Sequence, residues 1–253
     1  MHPVLFTIGP ITLYTYGAMM VVAFLAATGL AVQDARTLPR EWVAIAPEQL
    51  MDFACVSLLG GVIGGRLLYV GLQWDAFLRQ PLEMPAVWHG GLVWYGGLFG
   101  GLLGGWLYVR RKRLAFLRVM DQFIPFGALG HAIGRVGCFL NGCCYGRPTD
   151  AWYGVTFPGH AHPVIPTQLI EAGALTVLYG LLRRMRRPRL LQYPGRVFGW
   201  YLVSYAVLRF LIEFLRGDQT ALWAGLTLQQ LVSGGVFAAG LYLIGLVKLR
   251  TAS

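Results

Sequence analysis

Uncharged or nearly uncharged runs of bilayer length recur along this chain, and no other feature limits its possible folds so strongly. A helix needs about 20 mostly apolar residues to cross a bilayer. Seven runs read as spans: Leu13–Val32, Gln49–Leu72, Gly91–Val109, Leu114–Phe139, Thr167–Leu182, Val197–Leu215 and Leu226–Val247. The fourth carries Asp121, Pro125, His131 and Arg135, and the fifth is short, so both score weakly on hydropathy alone. Composition agrees with the runs. Of 253 residues, 56% are hydrophobic and only 13% charged, where a soluble domain carries about a quarter. The expected fold is an all-α polytopic membrane protein, with residues 1–253 as a single transmembrane domain. No Lys or Arg precedes the first run and no small-residue cleavage site follows a short apolar core, so it is expected to be retained as a span.

A net charge of +10 raises the question of nucleic acid, but the distribution of that charge points to the membrane instead. Lys and Arg collect on the cytoplasmic side of spans. One alternate set of loops holds Arg36 and Arg40, then Arg110–Arg113 and Arg118, then Arg183, Arg184, Arg186, Arg187, Arg189 and Arg196, then Lys248 and Arg250. The opposite set holds only Arg79, Arg147 and Arg216. The N-terminus is therefore expected outside and the C-terminus in the cytoplasm. The basic runs serve topology and anionic lipid, and no nucleic-acid partner is expected.

On that topology the polar residues inside the spans share one level. Arg66, Arg135, Arg209 and Glu213 lie late in outward-running spans; Gln168, Glu171, Tyr14 and Tyr16 lie early in spans that start outside. Charge at membrane depth is costly and faces a bundle interior or a wet cavity. A shared polar pocket at the outer leaflet is expected. Structural ion pairs or snorkelling arginines are the alternative, and Arg209 and Glu213, four apart, suit a local pair. The planar guanidinium fork matches phosphate, so a surplus of arginine there points to an anionic phospholipid headgroup.

Glycines mark two further places. The third span has ladders at 96/100/104 and 97/101/105, the spacing that lets helices pack closely. Gly134 and Gly137 flank Arg135, and the helix end is expected to unwind there, with the arginine facing a cavity.

Several spaced motifs then resemble one family over nearly the whole chain, the prolipoprotein diacylglyceryl transferases. FTIGPITLYTYGAMM is similar to the family's opening segment, and GGRLLYV to its second-span motif. Asp121, Pro125 and Arg135 in DQFIPFGALGHAIGRVG keep its spacing. GRVGCFLNGCCYGRPTD resembles the signature G-R-x-G-N-F-x-N-G-E-x-x-G-R; PTQLIE resembles P-[ST]-Q-L-Y-E; LRFLIEFLRGD resembles R-F-x-x-E-F-x-R-x-x-D. The resemblance implies a seven-span enzyme of the bacterial inner membrane, its active site toward the outer leaflet. It implies transfer of the diacylglyceryl group of phosphatidylglycerol to the lipobox cysteine of prolipoprotein signal peptides, forming a thioether and releasing glycerol phosphate, with no cofactor. Arg135, Arg209, Glu213, Tyr95 and Asn141 are the implied catalytic residues. Tyr16, Arg66, Gln168, Glu171, Arg216 and His89 are the implied substrate-binding ones. The chain departs from the signature at Cys138, where the family has Asn, and at Cys143, where it has Glu. The family's H-G-G histidine matches His89-Gly90-Gly91 by composition, but an ungapped count back from Asp121 lands on Tyr95-Gly96-Gly97, so Tyr95 is the positional equivalent.

Of four cysteines, Cys55 falls mid-span and Cys138, Cys143 and Cys144 cluster at the outer face. Buried free thiols are expected. A disulfide from Cys138 to Cys143 or Cys144 is one alternative; a metal site with His89, His131, His160 or His162 is another, although no span has paired zinc-ligand spacing and no metal is assigned. Two other functions stay open: a membrane thiol-redox protein built on these cysteines, and a phospholipid-binding protein without catalysis.

Overall fold

The computed structural model describes residues 4–8, 11–158, 161–185, 193–217 and 222–252. Arg186, Arg187, Arg189, His160 and Asp218 lie outside them. A short antiparallel hairpin, β1 (Val4–Ile8) and β2 (Ile11–Tyr14), opens the chain, and the rest is helical: α1 (Thr15–Thr37), α2 (Pro47–Leu72), α3 (Trp74–Arg79), α4 (Trp94–Arg111), α5 (Phe116–Asn141), α6 (Thr167–Met185), α7 (Arg196–Glu213) and α8 (Leu228–Ala252). A helix covers each of the seven apolar runs. Among the described residues, four stretches are long and apolar enough to cross a membrane: Thr15–Thr37, Arg40–Leu72, Phe116–Asn141 and Leu228–Leu246.

Three boundaries differ from the sequence reading. Leu13 and Tyr14 pair in the hairpin, so the first helix starts at Thr15. The third starts at Trp94 instead of Gly91, because Gly90 and Gly91 have φ of 82° and 75°, outside the right-handed helical region. Helix α5 does not unwind around Arg135; it runs unbroken to Asn141, and the chain turns only at Gly142, with φ of 76°. Gly134 and Gly137 serve packing instead. A Cβ at 137 would come within 2.9 Å of the Met19 Cβ on α1, and one at 134 within 3.6 Å of the Met20 sulfur.

The chain divides into two compact units, Met1–Ala31 with Met120–Ser253, and Val32–Val119. In the second, α2 and α4 touch through glycine. A Cβ on Gly100 would fall on the Gly60 carbonyl oxygen, and one on Gly96 on that of Gly64. The partner of the 96/100/104 ladder is thus the Gly60/Gly64 face of α2, backbone against backbone. In the first unit, Ala132 of α5, Leu175, Leu178 and Leu182 of α6 and Val197 of α7 form the apolar core. Asp121 of α5 accepts hydrogen bonds from the Gly195 N–H (2.6 Å) and the Phe198 N–H (2.8 Å). A carboxylate from another helix thereby caps the start of α7 and meets its positive end.

Burial is inverted relative to a water-soluble protein. Arg66, Asp121, Gln122, Gln168, Glu171 and Glu213 are buried, while Val21, Leu25, Leu59, Ile63, Leu67, Phe99 and Leu103 are exposed. Large apolar side chains facing outward, over helices with polar interiors, are what a hydrocarbon surround selects.

Candidate active site

The polar interior of the Met120–Ser253 unit is assembled by helical spacing and completed by contacts between helices. On α5, His131 and Arg135 stand four apart and share a face. Across from them, α6 begins at Thr167 and presents Gln168 and Glu171, each only 1% exposed. Arg135 Nη2 lies 2.9 Å from Glu171 Oε2, and His131 Nε2 lies 3.8 Å from Glu171 Oε1. On α7, Tyr205 and Arg209 repeat the four-residue spacing. The Tyr205 hydroxyl is in hydrogen-bond contact with Arg135, and its ring packs edge-on against His131 at 5.3 Å. Arg209 Nη1 lies 2.9 Å from Glu213 Oε2.

Helix α8 fixes the second pair. Thr227 precedes it and Gln230 lies three residues on; the Thr227 N–H donates to Gln230 Oε1 (3.0 Å) and the Gln230 N–H to Thr227 Oγ1 (3.3 Å). This reciprocal capping box orients the Thr227 hydroxyl, which donates to Glu213 Oε1 at 2.8 Å. Glu213 thus holds Arg209 with one oxygen and is itself held by the other.

Two of the arginines that made up the surplus expected from sequence are paired. Arg135 is balanced by Glu171 and Arg209 by Glu213. What remains is directional. Arg135 Nε and Gln168 Oε1 are buried and without a hydrogen-bond partner, as are Glu171 Oε1, Arg209 Nη1 and Glu213 Oε2, and a buried polar group in that state costs about 1–3 kcal/mol. A guanidinium pinned along one edge with an unspent N–H on another is set to receive an anionic oxygen.

The turn after α5 lies against the same arginine. The Cys143 N–H donates to the Cys138 carbonyl (3.1 Å), Gln168 Nε2 donates to the Cys143 carbonyl (2.6 Å), and Thr167 Oγ1 donates to the Cys144 carbonyl (2.8 Å). The Cys143 thiol donates to the Cys138 carbonyl (3.6 Å), the three sulfurs lie within 4.8 Å of one another, and Asn141 stands beside Cys143. Cys144 is held below the ordinary thiol range, first by hydrogen bonds with Cys138 and Cys143, against burial, with Arg216 and Arg135 adding to the effect. Arg216 reaches this turn because its backbone bridges Gly146. Tyr16 of α1 is within electrostatic reach of the three cysteines and Arg135. Arg135, Arg209, Glu213, Asn141, Tyr16, Gln168, Glu171 and Arg216 therefore all belong to one unit.

Arg66, Tyr95 and His89 belong to the Val32–Val119 unit. All three nitrogens of the Arg66 guanidinium donate to backbone carbonyls: Nε to Met84 (2.8 Å), Nη1 to Gly90 (2.5 Å) and Gly91 (3.3 Å), Nη2 to Glu83 (2.5 Å). The Tyr69 and Phe77 rings, edge-on to each other at 5.9 Å, lie 5.4 and 5.3 Å from it. It organises the loop between α3 and α4. Tyr95 lies in the first turn of α4, its ring edge-on to Trp94 at 5.2 Å. His89 ends a 3-10 turn, Val87–His89, and its side chain lies outside the described atoms. Sequence reasoning gave no site role to Tyr205 or Thr227, and considered His131 only as a metal-ligand alternative. His131 and Tyr205 carried a usable signal, each lying one helical turn before a membrane-level arginine. Thr227 carried the capping-box pattern alone.

The profile of the family described as prolipoprotein diacylglyceryl transferase matches residues 3–246. Relatives named phosphatidylglycerol–prolipoprotein diacylglyceryl transferase include those of Clostridium tetani, 33% identical over 99% of this chain and 99% of its own length, and Bordetella parapertussis, 38% identical over 95% and 94%. That of Pseudoalteromonas atlantica is 38% identical over 85% of this chain and 75% of its own.

Proposed function

The chain belongs to the prolipoprotein diacylglyceryl transferase family, and from that premise we propose how its own residues carry the reaction. It is a transferase that moves the diacylglyceryl group of phosphatidylglycerol to the lipobox cysteine of a prolipoprotein. The acceptor sulfur attacks the glyceryl carbon bonded to the phosphate oxygen. A C–S bond forms, the C–O bond breaks, and glycerol phosphate leaves with the electron pair. Negative charge grows on the departing phosphate, so the groups that matter are those aimed at it.

Arg135 is that group. The observation that carries the assignment is its half-buried guanidinium, held by Glu171 at 2.9 Å with a buried Nε unspent. Glu171 fixes the fork, Gln168 orders the turn beside it, and Tyr205 joins the pair to Arg209. Arg209, fixed by Glu213 and Thr227, receives a second phosphate oxygen. Asn141, Tyr16 and Arg216, grouped with the cysteines, take the acceptor side. Burial makes each contact stronger than in water, and holding lipid and peptide together supplies much of the remaining rate.

Seven spans with the N-terminus outside and the C-terminus in the cytoplasm, in a bacterial inner membrane, are the arrangement that suits the arginine distribution. This site then faces the outer leaflet. Purified protein incubated with phosphatidylglycerol and a lipobox peptide yields, by mass spectrometry, a peptide carrying a diacylglyceryl thioether, and Arg135→Ala slows its formation several hundredfold. A thioether formed by Arg135→Ala at the wild-type rate would sink the assignment.

A further inference from the structure

The sulfur atoms of Cys138, Cys143 and Cys144 all lie within 4.8 Å of one another. Three sulfurs around one tetrahedral zinc sit roughly 3.8 Å apart, given Zn–S bonds of about 2.3 Å. The difference is at most about 1 Å per pair. The backbone is already arranged for it. Gly142 and Cys144 have φ of 76° and 65°, and a non-glycine residue pays about 1 kcal/mol to stay left-handed. The two reversals curl residues 143 and 144 back over the end of α5, toward Cys138. Hydrogen bonds from Thr167 and Gln168 hold the curl in place. Strain kept by surrounding contacts is a mark of function. Arg135 and Arg216 supply positive charge beside Cys144, which suits an anionic trithiolate. No carboxylate or histidine belongs to the cluster among the described residues, so its ligands are all soft, the set that selects zinc or copper(I) over magnesium or calcium.

We propose that Cys138, Cys143 and Cys144 bind one zinc ion through their sulfur atoms, and that the acceptor thiol of the substrate occupies its fourth position. Catalytic zinc sites keep three protein ligands and an open position for water or substrate. A thiol bound to zinc is deprotonated. The acceptor thiol would give its proton to solvent on binding, and the zinc-bound thiolate would then attack the glyceryl carbon, whose phosphate lies on Arg135. The C–S bond forms, the C–O bond breaks, glycerol phosphate leaves with its electrons, and the thioether product, a weak ligand, departs from zinc. No oxidant or reductant is consumed. Two of the three sulfurs stand at the positions where the chain departs from its family's signature. The device thus activates the acceptor thiol with a metal. The identity of the fourth ligand rests on the transferase reading; the metal site does not.

The test uses the full chain in detergent, kept reduced, stripped with a chelator and reloaded with zinc or with cobalt(II) as the optical probe. Expected are one zinc per chain by elemental analysis, and intense sulfur-to-cobalt charge-transfer absorption. Both should be lost in Cys138→Ser, Cys143→Ser and Cys144→Ser variants that remain monodisperse. Metal content no higher than in the triple serine variant overturns the site. So does a Cys138–Cys144 or Cys143–Cys144 disulfide in protein purified from membranes without reductant. Adding a lipobox peptide should raise the charge-transfer absorption by about a third, as three sulfur ligands become four, and the peptide with serine for cysteine should not. No response to the cysteine peptide overturns the fourth-ligand assignment. Zinc removal should cut thioether formation at least about tenfold, restored by zinc. Full transfer by metal-free protein defeats this inference and leaves the transferase reading standing. A cobalt spectrum that answers the peptide, without turnover, supports the metal site and defeats the transferase reading.

Discussion

Arg66 and Arg135 look alike in the sequence: each is an arginine late in an apolar helix, one or two residues after a glycine. Their surroundings make them different. Arg66 spends every guanidinium nitrogen on the carbonyls of residues 83–91 and packs against an edge-to-face pair of aromatic rings. Arg135 meets one carboxylate and one tyrosine and keeps a buried N–H unspent. Depth in the membrane marks both as costly. What separates a structural arginine from one aimed at a ligand is the account of its donors.

The largest effect that would test this contrast is on turnover. Arg135→Ala removes the phosphate contact and leaves Glu171 buried without its partner. Thioether formation should fall by about 3 kcal/mol of transition-state stabilisation or more, several hundredfold. Arg135→Lys keeps the charge without the fork and should recover stability while remaining well below wild type. A lysine variant with full kcat would show that charge alone suffices.

Arg66→Ala should act on stability instead. Unpaired carbonyls in the loop should cost about 2 kcal/mol, read as a lower unfolding midpoint in detergent, with turnover per folded molecule within a few-fold of wild type. A stable Arg66→Ala protein with turnover lost would reverse the contrast and make Arg66 a ligand group.

Glu171→Gln keeps the shape of the Arg135 contact and removes its charge. A loss of about tenfold in kcat is expected, near 1.4 kcal/mol, with lipid affinity changed less. Equal losses in kcat/KM and in affinity would mean that Glu171 does not orient the fork during the reaction.

The smallest effect is expected at Glu213→Gln. The amide oxygen still accepts from Thr227, and the i, i+4 placement on α7 persists. A loss of less than about tenfold in kcat should follow, because an intrahelical pair is worth only a fraction of a kcal/mol on its own. A loss as large as that of Glu171→Gln would give both arginines equal standing.

Local periodicity made parts of the site readable. Arg209 and Glu213 are four apart, so any helix there places them together. The α4 ladders pointed to close packing, though Gly60 and Gly64 as the opposing face could not be named without the pairing of α2 and α4. Gly134 and Gly137 misled, because glycine beside a polar residue suits both a helix break and a helix contact. Met19 and Tyr16 of α1 decide for contact. The apparent surplus of arginine misled as well: Glu171 had been counted as one polar group among several, and its direction toward Arg135 depends on the rotation of α6 about its axis.

By itself the sequence determined a helical membrane chain, the positions of its seven long helices to within a few residues, the intrahelical pair on α7 and the presence of a cysteine-rich turn after the fourth of them. These follow from hydropathy, charge and the 3.6-residue repeat, which act over a few neighbours. Only the tertiary structure decided that Asp121 caps a helix 74 residues away, that Arg66 holds a loop while Arg135 is held by Glu171, and that three sulfurs meet at the end of α5. Each of these depends on how one helix is rotated and set against another. That rotation is settled by the packing of small residues and the satisfaction of buried polar groups across the whole bundle, which no short stretch of sequence contains.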